Sequence, residues 1–195
     1  MTKSQRTKNL IIEATAPLFN TRGYEGTSLQ DLCDATGLTK GALYGNFENK
    51  DQLFAEAFRY AVRLVREEGK KRVDVQVTNK AKLMALMEFF ATYVLNPPLK
   101  GGCPMLNNAV DADDNRPGMK RVVARELEQS ISYITGLLDA GRAAGEFGKS
   151  FHSRETAMFF FCSIEGAIMF SRVSSSDEAM RAVTKQIKKI VEELE

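Results

Sequence analysis

Apolar residues recur at helical spacing along almost the whole chain, and no stretch of strict alternation is long enough to predict a strand. The pattern predicts an all-α protein with about nine helices. A first helix spans Lys3 to Arg22, with Leu10, Ile11, Ala14, Leu18 and Phe19 on one face and Gly23 as its stop. Pro17 removes one backbone bond from it and predicts a bend or a compensating contact. Thr27-Ser-Leu-Gln30 matches a capping box, with Thr27 as N-cap and Gln30 at the third helical position, opening a short helix that ends at Gly37. Thr39 caps an equally short helix closing near Asn46. Asn49-Lys-Asp-Gln52 is a further capping box, and behind it runs a stripe of Leu53, Phe54, Ala57, Phe58, Ala61, Val62 and Val65.

The charged run from Arg66 to Lys82 reads as a solvated helix end and loop. A helix from Asn79 to Leu95 carries Leu83, Leu86, Met87, Phe89, Phe90 and Tyr93 and stops at Asn96-Pro-Pro98. A short helix follows the loop at 99–102, then a turn through Asp111 to Arg116. Pro117 opens a long helix with Val123, Leu127, Ile131, Ile134 and Leu138 inward, ended by Gly141 and Gly145. Between Ala157 and Phe170 only Ser163 and Glu165 are clearly polar, so this helix needs cover on more than one side. The last helix, opened by Ser175-Ser-Asp-Glu178, has its stripe at Met180, Val183, Ile187, Ile190, Val191 and Leu194. The two C-terminal helices are therefore expected to pair with a second copy of the chain, a symmetric homodimer being the commonest way to hide such a surface; a core helix within one chain is the alternative.

Composition narrows the function. With 44% hydrophobic residues in a chain of 195, a real core is within reach. The 27 basic and 25 acidic residues leave a formal net charge of +2, so any nucleic-acid site must be local. Three cysteines without a CxxC pair, and a single histidine, point to a reduced compartment and away from zinc. The N-terminus has no apolar core of a signal peptide, and the apolar run near 157–170 is short for a bilayer, so the expectation is a cytoplasmic protein without a membrane partner. Cys103 with His152 is the most plausible thiol–imidazole pair, in no hydrolase context; no catalysis, cofactor or metal is expected.

The sharpest pattern is two short helices joined by Ala35-Thr-Gly-Leu38, with a helix before and a longer one after, which is a helix-turn-helix arrangement. In such a motif the second helix enters the DNA major groove by its N-terminal residues, which makes Thr39, Lys40 and Ala42 candidates for base or phosphate contacts. Gly41 has no side chain to hold the backbone off the duplex. Tyr44 and Asn46 offer a phenol and an amide to phosphate oxygens. Lys50 adds charge, and the helix starts at Thr27-Ser28 and Asn49-Lys50 present backbone N–H groups to anions. Lys3, Arg6 and Lys8 suit a backbone or minor-groove arm, or a merely solvated terminus.

Residues 9–54, NLIIEATAPLFNTRGYEGTSLQDLCDATGLTKGALYGNFENKDQLF, resemble the DNA-binding domain of the TetR/AcrR family of bacterial transcriptional regulators. The matching landmarks are Ala14, Leu18-Phe19, Gly23, Thr27-Ser28, Leu32, Ala35, Gly37-Leu38, Gly41-Ala42-Leu43-Tyr44, Phe47, Lys50 and Leu53. The resemblance implies a DNA-binding domain at 1–48 and a helical effector-binding and dimerisation domain at 49–195. It further implies a homodimer, usually a repressor, that binds a palindromic double-stranded operator and releases it when a small molecule enters the larger domain. An activator or a ligand-independent regulator of the same fold is the alternative. The chain departs from the family pattern at Pro17 and at Gly45 and Asn46, where a bulky or basic residue and a histidine are usual.

For the effector, Phe89, Phe90, Tyr93, Met105, Met158, Phe159, Phe161 and Cys162 offer a soft aromatic and methionine-rich lining, although the same residues also suit plain core. Glu165 would need a partner if buried. In Gly101-Gly-Cys-Pro-Met-Leu-Asn-Asn108, Pro104 suits the first helical position and puts Cys103 at the N-cap, where the helix dipole favours a thiolate; an inert cap is the alternative. The segment, with Asn107 as its polar member, also resembles one found in family members that regulate electrophile and aldehyde detoxification. The effector is accordingly expected to be small and hydrophobic or electrophilic.

Overall fold

A computed structural model describes residues 2–112 and 116–194. Among the described residues there are nine helices and no strand: α1 (Lys3–Arg22), α2 (Leu29–Thr36), α3 (Lys40–Tyr44), α4 (Lys50–Val73), α5 (Asn79–Tyr93), α6 (Pro104–Ala112), α7 (Pro117–Ala143), α8 (Ser153–Ser174) and α9 (Glu178–Glu192). Of the turn expected across 111–116, residues 113–115 lie outside the described residues, and Asp111 belongs to α6. The helices form two compact units, Met1–Val65 with Leu99–Glu126, and Arg66–Pro98 with Leu127–Glu195. The division between these units falls inside α4 and α7, and α6 belongs with the first unit.

In the first unit α1 starts at Thr2, whose hydroxyl accepts from the Gln5 N–H, and continues through Pro17 to a Gly23 held at φ 69°. Its buried face is Ile11, Thr15, Ala16, Phe19 and Asn20. Leu10 was expected inward but is 66% exposed, because successive helical residues point about 100° apart and Ile11 takes the inward row. Thr15 is tolerated inside because its hydroxyl donates to Ile11 O at 2.8 Å. Around Phe19 and Phe54, whose rings meet edge-on at 4.9 Å, the core adds Leu32, Leu43, Phe47, Leu53 and Phe58. α2 opens one residue later than the sequence suggested. Thr27 is fully buried and its hydroxyl donates to Gly23 O at 2.7 Å, so it is not the cap. Ser28 is: its Oγ accepts from Asp31 N at 3.1 Å while Asp31 accepts from Ser28 N at 2.8 Å.

In the second unit α9 packs against both α5 and α8. It buries Met180, Thr184, Ile187 and Val191, while α8 buries Ala157, Phe160, Ile164, Ala167, Ile168 and Ser171. The backbone N–H groups of Asn79 and Lys80 at the start of α5 donate to the Glu146 carboxylate at 3.1 and 2.7 Å. Those bonds hold that carboxyl below its ordinary pKa, the Lys80 N–H contributing most. Gly141 does not end α7, which runs on to Ala143; a Cβ at Gly141 would lie 2.3 Å from the Phe147 ring, so the glycine admits that ring. Gly145, at φ 71°, follows the helix end. α8 spans 22 residues and by length and composition could cross a membrane, contrary to the shorter run read from the sequence.

Candidate nucleic-acid interface

α3 has only five residues, and one of them, Leu43, is buried. Phe47, 4% exposed, adds a second anchor just beyond the helix. Gly37 makes the preceding turn at φ 67°, a conformation that favours glycine. Thr39 then caps α3 by accepting from Ala42 N at 3.3 Å. With its inner side fixed in this way, α3 turns Thr39, Lys40, Gly41 and Tyr44 to solvent, with Ala42 half-buried. A Cβ built on Gly41 meets nothing within 4 Å. No neighbour within the protein therefore requires a glycine there. Gly45 differs, because a Cβ there would approach Gly41 O to 3.4 Å. The backbone N–H of Gly45 closes the helix onto that same oxygen at 2.9 Å.

Other expected contacts are placed less simply. Lys3, Arg6 and Ser28 are exposed, but the Ser28 hydroxyl is engaged by Asp31, 2.5 Å away. Those Ser28 bonds, followed by the Arg22 ion pair, pull the Asp31 carboxyl down to about 2. Thr27, expected at the interface, has no exposed side chain, for the reason that removes it from the cap. Asn46 is half-buried and spends an amide N–H on Ala42 O at 2.9 Å, which leaves one N–H for a phosphate. Lys8 lies 5.9 Å from the Phe47 ring centre. Lys50 turns into the unit: its Nζ donates to Tyr24 O at 2.7 Å and sits 3.9 Å over the Tyr24 ring. Burial, the first of several causes, lowers its pKa. The capping box at α4 is also displaced. Asn49 accepts from Gln52 N at 2.8 Å, but Gln52 returns its bond to Glu48 N rather than to Asn49.

The residues expected to bind an effector divide between the units. Phe89 and Tyr93 are buried and Phe90 half-buried in the second unit, with ring centres 5.0 to 6.0 Å apart. Phe161 and Glu165 are half-buried, whereas Met158 and Cys162 are exposed on α8. Met158 borders a separate open cleft of about 480 Å³ with Arg142, Phe151, His152 and Arg154. Cys103, Met105 and Asn107 lie instead in the first unit. Cys103 is at the α6 N-cap as expected, but only 4% exposed. The Asn107 amide donates to Asn20 O and to Gly101 O, both at 2.9 Å. Asn20 in turn donates to Lys100 O and Gly102 O at 2.9 and 3.0 Å. A Cβ on Gly101 would come within 2.7 Å of Asn20 O, so the glycine serves this close approach. Asn107 therefore acts as a tie between α6 and α1. Nothing in the local sequence marked Asn20 as its partner.

The profile of the family described as "Bacterial regulatory proteins, tetR family" matches residues 11–57, and that of "Tetracyclin repressor-like, C-terminal domain" matches residues 80–187. The chain belongs to the TetR family. A TetR-family transcriptional regulator from Cytophaga hutchinsonii superposes with a TM-score of 0.93 at 31% identity, over 100% of this chain and 98% of the other. The transcriptional repressor ComR of Escherichia coli K12 is 26% identical over 180 residues, 90% of this chain and 84% of its own length. A cysteine mutant of the TetR-family regulator CifR, solved with a 26-base-pair double-strand operator DNA, shares the fold with a TM-score of 0.82 at 19% identity, over 93% of this chain and 94% of its own. As a TetR-family member the chain is a DNA-binding transcriptional regulator, and its helix-turn-helix is the exposed α2–α3 pair.

Proposed function

We propose that the chain is a cytoplasmic homodimeric repressor that leaves a palindromic operator when a small hydrophobic or electrophilic effector binds. The observation that carries the reading head is Gly41: an open backbone position at the second residue of an exposed recognition helix, with no internal need for glycine. Thr39, Lys40 and Ala42 read bases or nearby phosphates, Tyr44 and Asn46 hold the backbone, and Lys3 and Arg6 supply an arm. Dimerisation is supported by α8, whose outer side exposes Met158, Phe159, Met169, Phe170 and Val173 over more than 40% of each residue. Such a face is costly to leave in water and suits an isologous contact. Of the two effector classes, the burial of Cys103 favours the hydrophobic one, with Phe89, Phe90, Tyr93 and Phe161 as the lining.

The test is selection of duplexes from a random library by the purified protein, followed by a release screen against small hydrophobic compounds and alkylating reagents. Enrichment of a palindrome that an added compound releases without unfolding the protein supports the reading. Alkylation that releases wild-type and Cys103→Ser protein equally removes the cysteine from it.

A further inference from the structure

Tyr24, in the turn between α1 and α2, is gripped from three parts of the chain. Its backbone N–H donates to Asp111 at 3.2 Å. Lys50, the first residue of α4, approaches one ring at 3.9 Å, and the guanidinium carbon of Arg116 lies 3.1 Å from the same ring centre. Arg116 also pairs with Asp51 at 2.6 Å, in the first turn of α4, and reaches Glu25 at 3.5 Å. Its side chain is only 15% exposed, whereas Asp51 and Glu25 are largely solvated. Tyr24 precedes the helix-turn-helix and Lys50 and Asp51 follow it, so the α2–α3 pair is bracketed on both sides by groups that Arg116 touches. α3 itself has one buried side chain, Leu43, with Phe47 as a second anchor just beyond it.

We infer that Arg116 is a positioning residue for DNA binding: by stacking on Tyr24 and pairing with Asp51 it joins the two ends of the helix-turn-helix and sets the angle at which α3 is presented. The interaction is directional. A planar guanidinium can stack on the ring and hold the carboxylate together, whereas an ammonium can serve only as a point charge. Ion pairs to solvated carboxylates contribute little energy by themselves, so the ring contact supplies most of the attraction and the Asp51 pair supplies the link to α4. Arg116 itself is turned inward and makes no claim on a phosphate.

The experiment uses full-length protein and a labelled duplex enriched by the wild type from a random library, with a mixed-sequence duplex of equal length beside it. Anisotropy titrations over a range of salt are read for affinity, salt slope and stoichiometry. For Arg116→Ala the expected result is about ten-fold weaker binding of the enriched duplex, at full stoichiometry and with an unchanged salt slope. Arg116→Lys recovers only part of the loss. Unchanged affinity in Arg116→Ala would overturn the role. So would a salt slope smaller by about 0.9, the signature of a lost phosphate contact. Reduced stoichiometry at wild-type affinity would mean a purely structural part. If Arg116→Ala does not fold, Arg116→Lys decides: wild-type affinity there refutes the requirement for a stacked guanidinium. Failure of the wild type to enrich any duplex would instead count against DNA reading by this chain as a whole.

Discussion

Gly41 and Asp31 show how single residues divide between stability and recognition. A Cβ at Gly41 has open space, and glycine in a helix costs about 0.5–1 kcal/mol relative to alanine. Gly41→Ala is therefore expected to raise the unfolding free energy by up to about that amount while weakening DNA binding, measured by thermal melting and by anisotropy on a selected duplex. Stability and affinity that both rise would show that the position is not held open for DNA. Tyr44→Ala is expected to weaken selected and mixed-sequence duplexes alike, whereas Thr39→Ala or Lys40→Ala changes the preferred sequence; repeating the duplex selection with each variant checks this. Asp31 is depressed to about 2 by Ser28 and then Arg22. Its folded pKa lies below the ordinary carboxylate value of 3.8, so its contribution is complete above that value and is lost as pH falls toward 2. In Ser28→Ala the Asp31 titration should move up toward the ordinary value, as followed by carboxylate NMR.

At the scale of an element, caps rather than apolar stripes decide where the short helices begin. Ser28→Ala should cost about 1 kcal/mol in chemical denaturation through loss of the α2 cap. Thr27 acts differently, by filling a buried site and bonding to Gly23 O. Thr27 and Ser28 are both good caps by type, and Gln30 and Asp31 both good third-position partners, so local sequence left a one-residue ambiguity that only burial of Thr27 resolves. Helix α4 was easier to read. Its stripe from Leu53 to Val62 is buried as periodicity predicts, because a long amphipathic helix repeats its signal over several turns. In the candidate DNA site the Gly37 turn and the Thr39 cap were legible, because each answers a backbone requirement that residue type alone betrays, whereas Gly41 answers none within the protein. Lys50 was not, because a lysine at a helix start reads as solvated charge until Tyr24 is found beneath it.

For the whole molecule, the exposed side of α8 is the feature on which the proposed homodimer rests. Phe170, 60% exposed, is a suitable probe: Phe170→Asp is expected to yield a monomer in sedimentation velocity and to bind a palindromic duplex at least ten-fold more weakly, since two half-sites are no longer engaged together. A dimer that persists in this variant would place the interface elsewhere. By itself the sequence determined the helical class, the order of the elements and the helix-turn-helix, since hydrophobic period, caps and turn glycines act within a few residues of one another. Tertiary structure decided the rest. It put the segment 99–126 with the DNA-binding helices, made Asn20 and Asn107 partners and set Arg116 on Tyr24. Those groups lie far apart in the chain, 87 positions for Asn20 and Asn107, and a hydrogen bond or ring contact of that kind leaves no periodic trace in the sequence that makes it.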